Sequence, residues 1–220
     1  MTRPYKLIDI QAILFDLDGT LLDTEELILS SFRHATKTVL GESLPDDVLR
    51  EMIGIPLKYQ MQKINPEHAD EMLAVYRTHN FEIHDRLIRG FPGTAEALEM
   101  LRADGYRLGV VTSKMSERAQ HGLELYHLEG FFEFVLGSDK TEQHKPAPEP
   151  LLVAAKLMGL DPVRCAYVGD SPYDMQAARA AGMCAVAALW GMFTRERLQE
   201  AGAQFEARTI SELPWLFGVQ

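Results

Sequence analysis

Short apolar runs recur along the chain without the strict alternation of a sheet that has one wet face. They fall at Ala12–Phe15 (AILF), Arg107–Val111 (RLGVV), 133–136 (EFVL), 165–168 (CAYV) and Cys184–Ala188 (CAVAA). Each is too brief for a helix and nearly continuous in apolar character, the pattern of strands covered on both faces. From Arg107 onward they alternate with helical periodicity at 116–126, 149–158, 173–181 and 194–201. That rhythm predicts a parallel sheet with right-handed crossovers and helices on both faces, the doubly wound α/β class.

One interval breaks the rhythm. About ninety residues separate the first strand from the second, far more than a crossover of roughly a dozen needs. Its pattern is helical: Thr24 is placed to cap a helix through Val39 with Gly41 as its stop, and 45–52 and 66–87 read as further helices. Gly90-Phe91-Pro92-Gly93 then reads as a turn and hinge. The expectation is a helical cap over 22–89 inserted into a core of 1–21 and 90–220.

The 220 residues are 46% hydrophobic, enough for one good core with an appendage. A net charge of −10 disfavours nucleic acid and anionic membrane as partners, and an acidic protein acting on an anion needs local cations. The start MTRPYKLIDIQ has no leader-like apolar segment, and no stretch has the length of a membrane span. Cys165 and Cys184 lack metal-ligand spacing and read as two buried small hydrophobes in a reducing cytoplasm.

Against this background four polar clusters stand out, each at or just after the end of a predicted strand, where open α/β sheets bind ligands. The first strand runs into Asp16-Leu17-Asp18-Gly19-Thr20; residues i and i+2 of an extended chain face the same way, so both carboxylates can address one point. A turn explains Asp18-Gly19 but gives Asp16 no purpose. The run at 165–168 leads into Gly169-Asp170-Ser171-Pro172-Tyr173-Asp174, with Ser171 suited to an N-cap and Pro172 to the first helical position. Asp174 falls about a turn into that helix, where it serves a metal site or simply complements the helix dipole. Carboxylates converging at one edge repel unless a divalent cation neutralises them, and hard oxygen ligands favour Mg²⁺. Thr112-Ser113-Lys114 ends the second strand with hydroxyls able to hold a phosphate oxygen or to cap a helix. Lys145, followed by prolines at 146, 148 and 150, is a stiffly placed cation able to neutralise both a carboxylate and a phosphate. His144 beside it reads as solvent-facing or as support behind the site.

Taken together, DLDGT at 16–20, the Thr112/Ser113 site, Lys145 and GDSPYD at 169–174 resemble, in order and spacing, the four motifs of the haloacid dehalogenase-like superfamily. The resemblance runs from Ile13 to about Trp190 and implies a Rossmann-like core with a four-helix cap. It also implies an aspartyl-phosphate mechanism: Asp16 as nucleophile, Asp18 as general acid–base, and Thr112, the Ser113 backbone and Lys145 on the phosphoryl group. Mg²⁺ would be held by Asp16, the backbone carbonyl of Asp18, and Asp170, with Asp174 in support. The dehalogenase branch lacks an acid at the Asp18 position, so phosphate chemistry is implied; the phosphonate hydrolase branch uses a cap lysine in a context that neither Lys58 nor Lys63 has.

DTEELILSSF at 23–32, Gly54-Ile55-Pro56-Leu57, VTSK at 111–114, HKPAPEP at 144–150 and Trp190-Gly191 are similar to the phosphoglycolate phosphatase and cytosolic pyrophosphatase group. They lean toward pyrophosphate, with phosphoglycolate next, and Lys114 or Lys58 as candidate contacts to a second anionic group. The expectation is a cytoplasmic Mg²⁺-dependent phosphohydrolase of a small phosphorylated anion, monomer or homodimer. A sugar-phosphate mutase keeps the same two acids and is the alternative. A receiver-like phosphoacceptor domain uses similar parts, but Asp18 and the cap argue against it.

Overall fold

The computed structural model describes residues 9–219; residues 1–8 and 220 of the expected core lie outside them. β1 (Ala12–Phe15) and β2 (Leu22–Asp23) are followed by four helices, α1 (Glu25–Leu40), α2 (Asp46–Arg50), α3 (Leu57–Ile64) and α4 (Ala69–Leu87). The chain returns through β3 (Arg89–Gly90), which pairs antiparallel with β2. There follow α5 (Thr94–Ala103), β4 (Arg107–Val111), α6 (Ser116–Leu125), β5 (Val135–Leu136), α7 (Glu149–Leu157) and β6 (Cys165–Gly169). The last elements are α8 (Pro172–Ala180), β7 (Cys184–Ala188), α9 (Arg195–Glu200), β8 (Phe205–Ala207) and α10 (Leu213–Leu216).

Six strands form one parallel sheet in the order β5-β4-β1-β6-β7-β8. Successive strand residues face opposite ways, and both faces are covered. Leu14, Tyr167 and Ala185 pack toward Leu151 of α7, Met175 of α8 and Leu198 of α9. Phe15, Val110 and Val168 pack toward Leu98 of α5, Leu123 of α6 and Leu213 of α10. Apolar residues at every position of β1 follow from this double coverage. The chain leaves β1 for β4 on one side and reaches β6 on the other, so the switch in winding direction lies beside β1, where such sheets open a crevice.

The helices between β2 and β3 have their own packing. Phe32 of α1 meets Tyr76 of α4 edge to face at 5.0 Å between ring centres, and Leu49, Met61 and Met72 complete an apolar cluster continuous with the sheet core. Gly41 closes α1 in the left-handed conformation, φ +85°, its N–H bonded to the Lys37 carbonyl. Thr24 does not cap α1 with its side chain; its hydroxyl is drawn to Asp18 instead.

Several elements differ from the sequence pattern. The strand expected over 133–136 is confined to β5, because Glu133 turns outward to Arg107 at 2.6 Å. β8 was not anticipated, since Glu206 interrupts its apolar character; α3, α5, α10 and the two-residue strands β2 and β3 likewise lacked a separate signal. Among the described residues no helix is long and apolar enough to cross a membrane.

Candidate active site

The end of β1 carries Asp16 into the interior. Its backbone N–H continues the ladder to the Val168 carbonyl at 2.9 Å, so the carboxylate is placed by the sheet itself. Asp16 Oδ2 lies 3.1 Å from Lys145 Nζ, while Oδ1 is buried with no hydrogen-bond partner. Lys145, buried after β5, also donates to Asp174 Oδ1 at 2.6 Å and to the Tyr167 hydroxyl at 3.0 Å. Tyr167 donates in turn to the Val111 carbonyl at 2.7 Å.

Asp174 is fully buried. Its Oδ2 accepts from the Ser171 N–H at 2.9 Å and the Ser171 hydroxyl at 2.6 Å, while the Ser171 oxygen accepts from the Asp174 N–H at 3.2 Å. This is a capping box at the start of α8, with Pro172 in the first turn. Asp174 thus sits at the helix start and beside the other acids, with its oxygens taken by Lys145 and Ser171.

Asp170 follows β6 and accepts from the Met192 N–H at 2.7 Å. Two glycines make room for it. A Cβ on Gly19, which has φ +75°, would meet its Oδ2 at 2.1 Å, and one on Gly191 would meet its Cβ at 2.2 Å. Ligand oxygens of Asp16, Asp170 and Asp174 all lie within 4.8 Å of one another.

Burial pushes the Asp16 carboxyl up to about 7; Lys145 pulls it down, and Asp174 and Asp18 push it up again. Burial likewise raises Asp170 well above the ordinary carboxylate range, with Asp174 adding to it. Burial alone would lower Lys145, yet Asp16 and Asp174 hold it above its usual value, so it is a fixed cation. Two carboxylates thus share one ammonium with a third close by, and acids this close together in a low-dielectric site call for more positive charge. The unpartnered Asp16 oxygen and an all-oxygen donor set fit a hard divalent cation such as Mg²⁺.

Asp18 lives differently. Its Oδ1 accepts from the Thr24 hydroxyl at 2.8 Å and from Lys114 Nζ at 2.6 Å, and its side chain remains 17% exposed. Past β4, the Thr112 N–H bonds to the Leu136 carbonyl and its hydroxyl accepts from the Lys114 N–H at 3.2 Å. The Ser113 hydroxyl donates to the Gly54 carbonyl at 2.9 Å, joining the sheet edge to the helical insertion.

Above these residues lies a cavity of about 460 Å³. Asp16, Asp18, Thr112, Ser113, Lys114 and Asp170 line its floor, and Ile53, Ile55, Lys58, Tyr76, Arg77 and Asn80 line its upper wall. Lys145 stands behind the floor, beside Asp16. Lys63 lies elsewhere, 6.0 Å over the Tyr173 ring. His144 is half-buried, its ring 6.0 Å from that of Tyr59. Cys165 is buried, whereas Cys184, read as buried, is only half-buried because it opens β7 at the strand end.

Sequence reasoning missed Tyr167, although a hydroxyl in a strand covered on both faces must find a partner and so carried a signal. It also missed the Thr24 hydroxyl and the Met192 N–H, which reach their acids only through the fold.

Comparison with known proteins adds three findings. Residues 13–188 match the family model described as haloacid dehalogenase-like hydrolase. The chain is 33% identical to pyrophosphatase PpaX of Halalkalibacterium halodurans over 97% of its length and 99% of that protein, and 36% identical to pyrophosphatase PpaX of Bacillus velezensis over 96% and 98%. A solved structure from Haemophilus somnus, titled a predicted phosphoglycolate phosphatase, superposes with a TM-score of 0.82 at 25% identity over 93% of this chain and 96% of that one.

Proposed function

The chain belongs to the haloacid dehalogenase-like hydrolase family, and from that premise we propose that it is a Mg²⁺-dependent phosphohydrolase acting through an aspartyl phosphate on Asp16. Inorganic pyrophosphate is its favoured substrate, with phosphoglycolate next. The observation that carries the reaction class is the buried Asp16 carboxylate on the cavity floor, with Lys145 on one oxygen and nothing on the other. The lean to pyrophosphate rests on relatives named pyrophosphatase that span nearly the whole chain.

In this reading an Asp16 oxygen forms a bond to phosphorus as the bond to the leaving oxygen breaks. Asp18 gives that oxygen its proton, then takes one from the water that attacks phosphorus and frees Asp16. A covalent intermediate divides one difficult displacement into two easier ones. Asp18 suits proton transfer because it is the more accessible acid, while its bonds to Thr24 and Lys114 fix its direction. Lys145 holds Asp16 in place and would offer charge to the phosphoryl group, and Thr112 with the Ser113 N–H would take phosphoryl oxygens. Asp16, the Asp18 carbonyl and Asp170 would hold Mg²⁺, with Asp174 bracing Lys145. Bound there, Mg²⁺ supplies the positive charge that keeps Asp16 ionised and offsets charge on the transferring group. Lys58 or Lys114 would meet the second anionic group. Free thiols at Cys165 and Cys184 suit a reducing cytoplasm.

A screen of pyrophosphate, phosphoglycolate and sugar phosphates, with and without Mg²⁺, tests the reading. Mg²⁺-dependent phosphate release with the highest kcat/KM on pyrophosphate is expected. Sugar-phosphate isomerisation stimulated by a bisphosphate, with little free phosphate, would instead make it a mutase. No steady-state release from any ester would sink the enzyme.

A further inference from the structure

A second group of ligating side chains, distinct in its residues from the carboxylate floor though His84 lines the same cavity, spans the two parts of the molecule. His84 and Asp85 lie near the C-terminal end of α4, and His121 lies on α6. His84 Nδ1 is 2.7 Å and His121 Nε2 is 2.9 Å from the same oxygen, Asp85 Oδ1. One ligand atom from each residue lies within 4.8 Å of the other two. The rings stand 5.2 Å apart, tilted by 43°.

We propose that His84, Asp85 and His121 form a binding site for a divalent transition-metal ion of the Zn²⁺, Co²⁺ or Ni²⁺ class, which ties the helical insertion to the sheet domain. Two imidazole nitrogens and one carboxylate are a donor set that such ions accept and that Mg²⁺ does not favour. Three protein ligands leave room for water to complete the shell. The entry path exists, because His121 and Asp85 are 46% and 58% exposed while His84 is held at 3%. Donors bound to one such ion at about 2.0–2.1 Å in tetrahedral geometry sit roughly 3.3 Å apart, so the two nitrogen–oxygen separations of 2.7 and 2.9 Å would open by roughly half an ångström.

Burial lowers the His84 pKa; its hydrogen bond to Asp85 opposes that, and nearby Lys114 adds to the lowering. Hydrogen bonds from His84 and His121 hold Asp85 below the usual carboxylate range. On binding, each ring keeps one proton, moved to its other nitrogen; for His84 that is Nε2, which is buried without a partner in either state.

Asp85 is four residues from β3, whose pairing with β2 forms the base of the insertion. An ion bridging α4 and α6 here would restrain any rotation about that base.

Co²⁺ titration of the full chain in excess Mg²⁺, followed by visible absorption and calorimetry, tests the site. The wild type should bind one equivalent with the absorption of a nitrogen-ligated ion. His121→Ala, an exposed change, should weaken that binding at least ten-fold, and Asp16→Asn should leave it intact. Equal binding by wild type and His121→Ala overturns the proposal. So does absorption lost in Asp16→Asn and kept in His121→Ala, which would assign the ion to the carboxylate floor. None of these readouts needs turnover, so failure here is distinct from failure of the phosphohydrolase reading.

Discussion

At the floor of the cavity Asp16, and behind it Lys145, Asp174 and Tyr167, are buried and bonded to one another. On the upper wall Lys58 and Arg77 are exposed and Asn80 is half-exposed, all three on helices of the insertion. The floor takes charge out of water, which costs several kcal/mol per ion unless partners restore it, and in return each group has one position. The upper wall leaves its cations solvated, where they attract an anion at little cost to stability but with weak geometric control. The contrast separates chemistry from selection: floor residues should govern kcat, with the buried ion pairs behind them governing stability, and upper-wall residues should govern KM alone.

The largest effect expected is from Asp16→Asn. It removes the proposed nucleophile and should lower kcat by at least about 10³-fold, while thermal unfolding should show a fold about as stable as wild type, because burial already opposes the charge that the substitution removes. Asp18→Asn should lower kcat by roughly 10²–10⁴-fold, the usual worth of a general acid–base, with little change in melting temperature. Phosphate release and scanning calorimetry measure both.

Lys145→Met sharpens the comparison on the side of stability. It strands Asp16 and Asp174 without their ammonium, a loss of about 3–5 kcal/mol, and the midpoint should fall by roughly 6–20 °C. Lys58→Ala probes the opposite wall. Its expected signature is a KM for pyrophosphate raised about three- to ten-fold with kcat unchanged; an equal fall in kcat would erase the division between the walls.

The smallest effect concerns the support of the floor. Asp139 accepts from the Ser116 N–H at 2.7 Å at the start of α6, next to Thr112-Ser113-Lys114. Partial burial pushes its pKa up, but the Ser116 N–H and hydroxyl and Lys140 win and hold it at about 2. A folded pKa below the unfolded one means the contribution is present above about pH 4 and lost as pH falls toward 2. Asp139→Ala should cost about 0.5–1 kcal/mol at neutral pH, and that difference should shrink in acid unfolding curves as pH falls toward 2 and vanish below it.

Most of the sheet was legible because a strand buried on both faces must be apolar throughout, and β1, β4 and β7 have the bounds their apolar runs predict. Edge elements were less legible: β5 and β8 carry Glu133 and Glu206 at or beside them, since one side of an edge strand meets water. Asp16, Asp18 and Asp170 were visible because charge just after an apolar run needs a reason, Lys145 because prolines stiffen its loop, and Asp174 because it follows a helix-starting Ser171-Pro172. Tyr167 was hidden because a tyrosine in a strand passes for bulk.

The sequence by itself determined the reaction class it resembles and the strand ends where its polar residues lie, because periodicity and motif spacing are local properties of the chain. Only the tertiary structure decided which partners each acid has. It gave Asp16 the buried ammonium of Lys145 and Asp18 the hydroxyl of Thr24 and the ammonium of Lys114. It also joined α4 to α6 through one carboxylate. Partners 96 or 129 positions away leave no periodic trace, and the burial that sets a carboxylate's charge is a property of the packed molecule alone.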